Sequence, residues 1–205
     1  MRTMNYTKQK NNYINYANRG MQLENDINET NLYYKNFDIA LIYKKPTPIK
    51  IIKMEYPYKI KEGIFETPST LDYNGIYKGK YLDFDAKETN NKTSFPISNI
   101  HKHQIEHIKK VIFHQGISFI IVSFTSLNEI YLLFGKDLLA FINNNKRKSI
   151  PYSYFKEKGH LITLKYAPRI DYLKVIDKYM EVEWKNILIE LKIDLLKQNI
   201  ILLPR

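Results

Sequence analysis

Ser69-Thr70-Leu71-Asp72-Tyr73-Asn74-Gly75-Ile76-Tyr77-Lys78-Gly79-Lys80-Tyr81-Leu82-Asp83-Phe84-Asp85-Ala86-Lys87 sets two carboxylates, Asp72 and Asp85, thirteen positions apart. The stretch reads as an aspartate, a glycine-marked turn, and a strand ending in Asp-x-Lys. Such a turn folds the first carboxylate back beside the second. A strand's two-residue period puts Asp85 and Lys87 on one face. Two carboxylates and an ammonium meeting at one point suit a Mg²⁺ site that cuts phosphodiesters. The acids hold the hard cation through oxygen, and the metal activates water and neutralises charge growing on the phosphate. The lysine adds positive charge beside that phosphate. Asp83 shares the face; it either supports the site from behind or caps the sheet, and it is not counted in the site. An ion-paired hairpin without catalysis accounts for the same residues about as well until the next helix is read.

That helix, from Asn99 to about Gln115, carries His101-Lys102-His103-Gln104-Ile105-Glu106-His107. Gln104 on it can point at the sheet that bears the carboxylates, which tips the reading towards a site. His103, Glu106 and His107 also match the H-x-x-E-H pattern of inverzincin metalloproteases, with the histidines on zinc and the glutamate as base. Only three positions of that pattern are specified, and it leaves Asp72, Asp85, Lys87 and the basic charge unexplained. A polar helix face towards phosphate or solvent is the simpler account of the three histidines. Glu24, on the first helix, either approaches the metal or pairs locally, and local pairing is preferred.

The chain around this segment has 205 residues, enough for one domain with a sizeable core. Its net charge of +11 ranks a polyanionic partner first, nucleic acid ahead of an acidic membrane. Cysteine is absent, which removes disulfides and cysteine-held zinc and fits a reducing cytoplasm. No apolar run approaches a membrane span. Residues 1–17 read as a mobile basic arm, 18–180 as the catalytic domain and 181–205 as an apolar helical extension. Within the domain, Pro46, Pro48 and Pro57 interrupt residues 45–65 and argue against a central strand. A protruding basic segment fits better, with Lys50, Lys53, Lys59 and Lys61 along it. Ile117 to Phe124 is nearly continuous apolar, as a strand covered on both faces reads. A helix, several strands, a helix, two strands and a helix in that order give an α/β (mixed α+β) fold, a central mixed sheet flanked by helices. The terminal apolar stretch, with Trp184, Ile187, Leu188 and Leu191 at helical spacing, is preferred as a helix docked on the core over an oligomer contact.

Many blocks of this sequence resemble, in order, the RecU Holliday junction resolvases of Gram-positive bacteria and mollicutes. They include Asn18-Arg19-Gly20-Met21, Lys44-Lys45-Pro46-Thr47-Pro48, Ser69-Thr70-x-Asp72-Tyr73-Asn74-Gly75, Lys87-Glu88-Thr89, Asn91-Lys92-Thr93-Ser94-Phe95-Pro96, His103-Gln104-Ile105-Glu106-His107 and Ala167-Pro168-Arg169-Ile170-Asp171-Tyr172. The resemblance runs from about residue 18 to 180. It implies a PD-(D/E)XK nuclease fold, a homodimer, and Mg²⁺-dependent resolution of four-way DNA junctions by paired nicks, with Mn²⁺ as a substitute metal and a recombinase as a further partner. It implies Thr70, Asp72, Asp85 and Gln104 as the magnesium site and Lys87 as the transition-state stabiliser. Residues 45–65 become a stalk at the junction centre. Arg19, Lys45, Lys50, Lys53, Lys59 and Lys61 are the candidate DNA contacts. One departure stands out: the family usually has Glu where this chain has Asp85. A fold retained for non-catalytic DNA binding is therefore the main alternative.

Overall fold

The computed structural model describes residues 21–66 and 70–201. In chain order these form α1 (Met21–Asn36), β1 (Leu41–Lys44), β2 (Ile49–Glu55), β3 (Lys59–Phe65), β4 (Tyr73–Tyr77), β5 (Lys80–Thr89) and β6 (Ser94–Pro96). After a short 3-10 turn come α2 (Lys102–Phe113), β7 (Ile117–Phe124), β8 (Glu129–Phe134), α3 (Gly135–Asn144), β9 (Ser149–Pro151), α4 (Tyr152–Lys158), β10 (His160–Ile162) and α5 (Leu173–Ile201). The basic arm and Arg19 lie outside the described residues.

Six strands form one sheet in the order β1-β4-β5-β7-β8-β10. All its pairings are antiparallel except β5 with β7, which run parallel with α2 as the crossover. β7 is the strand its apolar run predicts, buried on both faces. Phe119 and Ile121 join Leu23, Ile27 and Tyr34 of α1 and Leu173 and Ile176 of α5 in one core. Tyr73, Phe84 and Phe119 stack across three neighbouring strands there, with centroids 4.9 and 4.6 Å apart. The alternate residues Ile120, Val122 and Phe124 meet Ile108 of α2, Leu138 and Phe141 of α3 and Phe155 of α4 in a second core. Asp83, Asp85 and Lys87, odd-numbered on β5, fall on this second face, the one α2 covers.

The glycines divide the opening stretch differently from its sequence reading. Asp72 leads into a strand, β4, before any turn. The turn is Lys78-Gly79, both at positive φ (46° and 75°) between paired Tyr77 and Lys80. This is the primed geometry that two-residue hairpins favour. Gly75 instead marks a close approach: a Cβ there would lie 2.1 Å from the Leu41 carbonyl oxygen of β1.

β2 and β3 pair only with each other, and every residue of both strands is exposed. They make a hairpin carried off the domain by Lys45-Pro46-Thr47-Pro48 and closed at its base by Glu66 N–H to the Pro48 carbonyl, 3.0 Å. The terminal helix corrects one expectation. α5 is continuous from Leu173, and only its first turns dock, Tyr179 stacking on Phe134 at 4.1 Å. Beyond Met180 it leaves the core, with Val182, Trp184, Ile187, Leu188 and Ile189 all exposed. No helix among the described residues is long and apolar enough to cross a membrane.

Candidate active site

The β4–β5 register decides the site. Tyr73 pairs with Phe84, and Asn74 with Asp83. One more step along the same ladder sets Asp72 opposite Asp85. The tight turn thus does what a distant sequence spacing cannot guarantee, bringing two acids side by side on the edge of a buried strand.

Asp85 is fully buried. Its Oδ2 accepts from Lys87 Nζ at 2.8 Å and from Gln104 Nε2 at 2.5 Å. Its Oδ1 is buried without a partner. Burial, only partly offset by the Lys87 ammonium and reinforced by the neighbouring Asp72 carboxylate, pushes the Asp85 carboxyl up to about 7. A buried acid with an open oxygen lacks a positive ligand. Asp72 is half-buried beside it, and Thr70 stands two residues earlier in the same connection, also half-buried.

Gln104 sits in the first turn of α2. Its Oε1 accepts from the His101 backbone N–H at 3.0 Å, so the same amide caps the helix and grips Asp85. The carbonyl therefore faces away from the carboxylates. Turning the amide over would aim its oxygen at the site but set Nε2 against the His101 N–H, donor to donor.

A hard divalent cation fits this donor set. Mg²⁺ takes one or two carboxylates and completes its octahedron with water and phosphate oxygens. No group of three or more His, Cys, Asp or Glu among the described residues is gathered to hold a metal.

Comparison with known proteins gives the family. The family model described as RecU, Recombination protein U, matches residues 18–178. The chain belongs to the RecU family. Proteins named Holliday junction resolvase RecU are 53% identical over 169 residues in Bacillus cereus (strain B4264), covering 79% of this chain and 84% of the relative. In Geobacillus sp. (strain WCH70) the figure is 52% over 184 residues, covering 84% and 92%. A Holliday junction resolvase structure from Archaeoglobus fulgidus is matched over 68% of this chain and 93% of its own, at 10% identity and a TM-score of 0.41. The RecU match stops before the outer part of α5.

Within this RecU chain the candidate DNA contacts separate. Lys50, Lys53, Lys59 and Lys61 are exposed on the β2–β3 hairpin. Lys45 is not: its Nζ lies 2.9 Å from Asp83 Oδ2, with the lysine side chain 21% exposed. The zinc arrangement is not assembled. Glu106 faces solvent and pairs with Lys109 at 2.8 Å, while His107 Nε2 turns to Asp83 at 3.2 Å. Glu24 pairs with Lys44, twenty residues on in β1, and not with a neighbour on its own helix; burial first, then the charges of Glu24, Asp72 and Asp85, raise the pKa of the unpartnered Tyr73 hydroxyl. Asp83 is the residue that sequence reasoning undervalued. The alternation that joined Asp85 to Lys87 reaches it equally, but its charged partners, Lys45 and His107, lie 38 and 24 positions away along the chain.

Proposed function

We infer that this RecU protein is a Mg²⁺-dependent, structure-selective endodeoxyribonuclease that resolves four-way DNA junctions. One observation carries the reading: the β4–β5 register sets Asp72 against Asp85, whose Oδ2 is paired with Lys87 and whose Oδ1 is buried without a partner. Asp72 and Asp85 hold the metal, with Thr70 supplying a neutral oxygen and Gln104 holding Asp85 in place. Bound there, Mg²⁺ supplies an activated water and neutralises the scissile phosphate. Lys87, on the same strand face, keeps a positive charge where the phosphate gathers negative charge. Its ammonium reaches Asp85 in the protein alone, so the strand aims it at the reacting group before DNA arrives. Burial of Asp85 keeps bulk water from screening either charge.

The remaining parts suit a branched substrate. The hairpin presents four lysines together with Tyr56 and Tyr58 at its tip, 96% and 91% exposed. Aromatic faces stack on the terminal base pairs whose own stacking a branch point interrupts, while the lysines answer crowded phosphates. Two nicks placed symmetrically across a junction call for two sites related by a two-fold axis, hence a homodimer.

The test is a four-way junction with labelled strands, incubated with Mg²⁺, Mn²⁺, Ca²⁺, Zn²⁺ or EDTA. Paired nicks are expected with Mg²⁺ and Mn²⁺ alone. Asp72→Asn should bind the junction and leave it whole. Cutting in EDTA, or with Zn²⁺ only, would overturn the assignment of the site.

A further inference from the structure

Asp83 is fully buried two residues ahead of Asp85, on the same face of β5. A carboxylate there is tolerated only if its charge is answered. Three elements converge on its Oδ2: Lys45 Nζ at 2.9 Å from the hairpin root, the neighbouring Tyr81 hydroxyl at 2.5 Å, and His107 Nε2 at 3.2 Å from α2. Its Oδ1 has no partner.

Lys45 does a second thing. Its backbone N–H donates to the Asp72 carbonyl at 2.7 Å. One residue therefore holds the main chain of one metal-binding acid and, through Asp83, the strand that carries the other. His107 lies on the same helix as Gln104, three residues on, and Gln104 grips Asp85. Lys45 thus reaches Asp72 directly through its backbone, and the helix that lends His107 to Asp83 also lends Gln104 to Asp85.

The hairpin pairs with no other strand and buries none of its residues. A displacement at its tip reaches the domain through its root. On the β1 side that root is Lys45-Pro46-Thr47-Pro48. Two prolines with fixed φ, and a residue before each held extended, make this side stiff. It transmits a tilt to Lys45 instead of absorbing it.

We propose that Lys45, Asp83 and His107 form a positioning linkage that couples the β2–β3 hairpin to Asp72 and Asp85, so that a junction seated on the hairpin sets the metal-binding acids for cleavage. The linkage touches neither metal nor phosphate; it acts through the backbone of Asp72 and the placement of β5. The inference rests on the junction-resolvase reading above.

The decisive variants are Lys45→Met and the conservative Lys45→Arg, each made in the intact protein and in one whose hairpin tip, residues 50–64, is replaced by a short Gly-Ser link. Single-turnover cleavage is measured at saturating junction with Mg²⁺, and junction affinity in EDTA. Lys45→Met should cleave at least tenfold more slowly than the parent with affinity within twofold, and Lys45→Arg should recover most of the rate. In the hairpin-less protein Lys45→Met should change the residual rate less than twofold, because the lever is already gone. An equal loss in both backgrounds means that Lys45 is only a local prop, and overturns the coupling. Loss of affinity with an unchanged rate makes Lys45 a phosphate contact, and overturns it too. If Lys45→Met does not fold, Asp83→Asn, which keeps the shape and an acceptor, must show the same background dependence.

A second readout needs no cleavage. On binding the junction without metal, the parent should gain amide-exchange protection in both the hairpin and residues 81–85, and Lys45→Met in the hairpin alone. Identical protection of residues 81–85 in both proteins, or in neither, refutes the linkage even if the nuclease reading stands. A parent that binds junctions and never cuts them refutes the nuclease reading and leaves this measurement to judge the linkage.

Discussion

Asp85→Asn should make the protein without metal more stable as the pH rises, relative to the parent, while abolishing cleavage. The Asp85 carboxyl is raised from 3.8 to about 7, chiefly by burial. Between those values the native state keeps a proton that the unfolded chain has released. The unfolded state then binds fewer protons than the native one, so stability falls as pH increases through this window. The shift is about three units at 1.36 kcal/mol each, roughly 4 kcal/mol in all. Asparagine mimics the protonated acid and carries none of this dependence. Urea melts of both proteins in EDTA from pH 4 to 8.5 give the comparison. The difference in unfolding free energy should be small near pH 4, grow above pH 5 and level off beyond pH 8. For a chain of this size that corresponds to a gap in Tm of roughly 10 °C. Mg²⁺ at a hundred times its Kd should then return about 2.7 kcal/mol to the parent and nothing to the variant. Parallel stability curves across the whole pH range would refute the idea that Asp85 is a costly buried charge waiting for a cation.

Replacing residues 50–64 by a short link is feasible because Ile49 and Phe65 are paired across the hairpin base. The product should lose its preference for junctions over linear duplex, and its salt dependence of binding should become shallower by roughly one log-log unit per lost phosphate contact; an unchanged ratio in competition titrations would move selectivity elsewhere. Asp85→Glu keeps the charge and adds about 1.5 Å of reach. It should raise the single-turnover rate, whereas no change would show the shorter acid already well placed. Gly75→Ala forces a Cβ to within 2.1 Å of the Leu41 carbonyl oxygen, and should cost about 3 kcal/mol in denaturant melts; a neutral effect would mean that β1 can slide away from β4.

The parts of the fold legible in the sequence are those whose signal is local. Ile117 to Phe124 announces a two-sided strand by composition alone, and the structure buries it on both faces. The prolines of residues 45–65 exclude a central strand, and β2 and β3 indeed stand apart. The alternation of Asp85 and Lys87 survives because a two-residue period is all it requires. What failed to show needs partners from afar. β6, β9 and β10 have three residues each, too few to display a period. Gly75 looks like a turn residue, yet its reason is the backbone of β1 passing close by. The ion pair of Lys45 with Asp83 spans 38 positions, and a lysine beside a proline-broken basic run reads naturally as a DNA contact. The outer part of α5 carries helical spacing of apolar residues, but spacing says nothing of what covers them.

The same locality explains why the sequence displays the two acids that the structure brings together but not their supports. A metal-binding carboxylate has to be placed by short-range geometry, because an error of an ångström ruins its coordination. Here a two-residue turn and an antiparallel ladder supply that precision within one hairpin. The supports must come from elsewhere, since a buried charge cannot be answered by its own strand alone. Lys45 arrives from the root of another hairpin, and Gln104 and His107 from the crossover helix. The arrangement still leaves Oδ1 of both Asp83 and Asp85 without a partner. A fold selected for stability alone would have closed those valences with a donor or replaced the acids by apolar residues. In the proposed function, the open Oδ1 of Asp85 beside Lys87 is where stability yields to the binding of a cation and the cutting of a phosphodiester, while Asp83 holds the strand behind it.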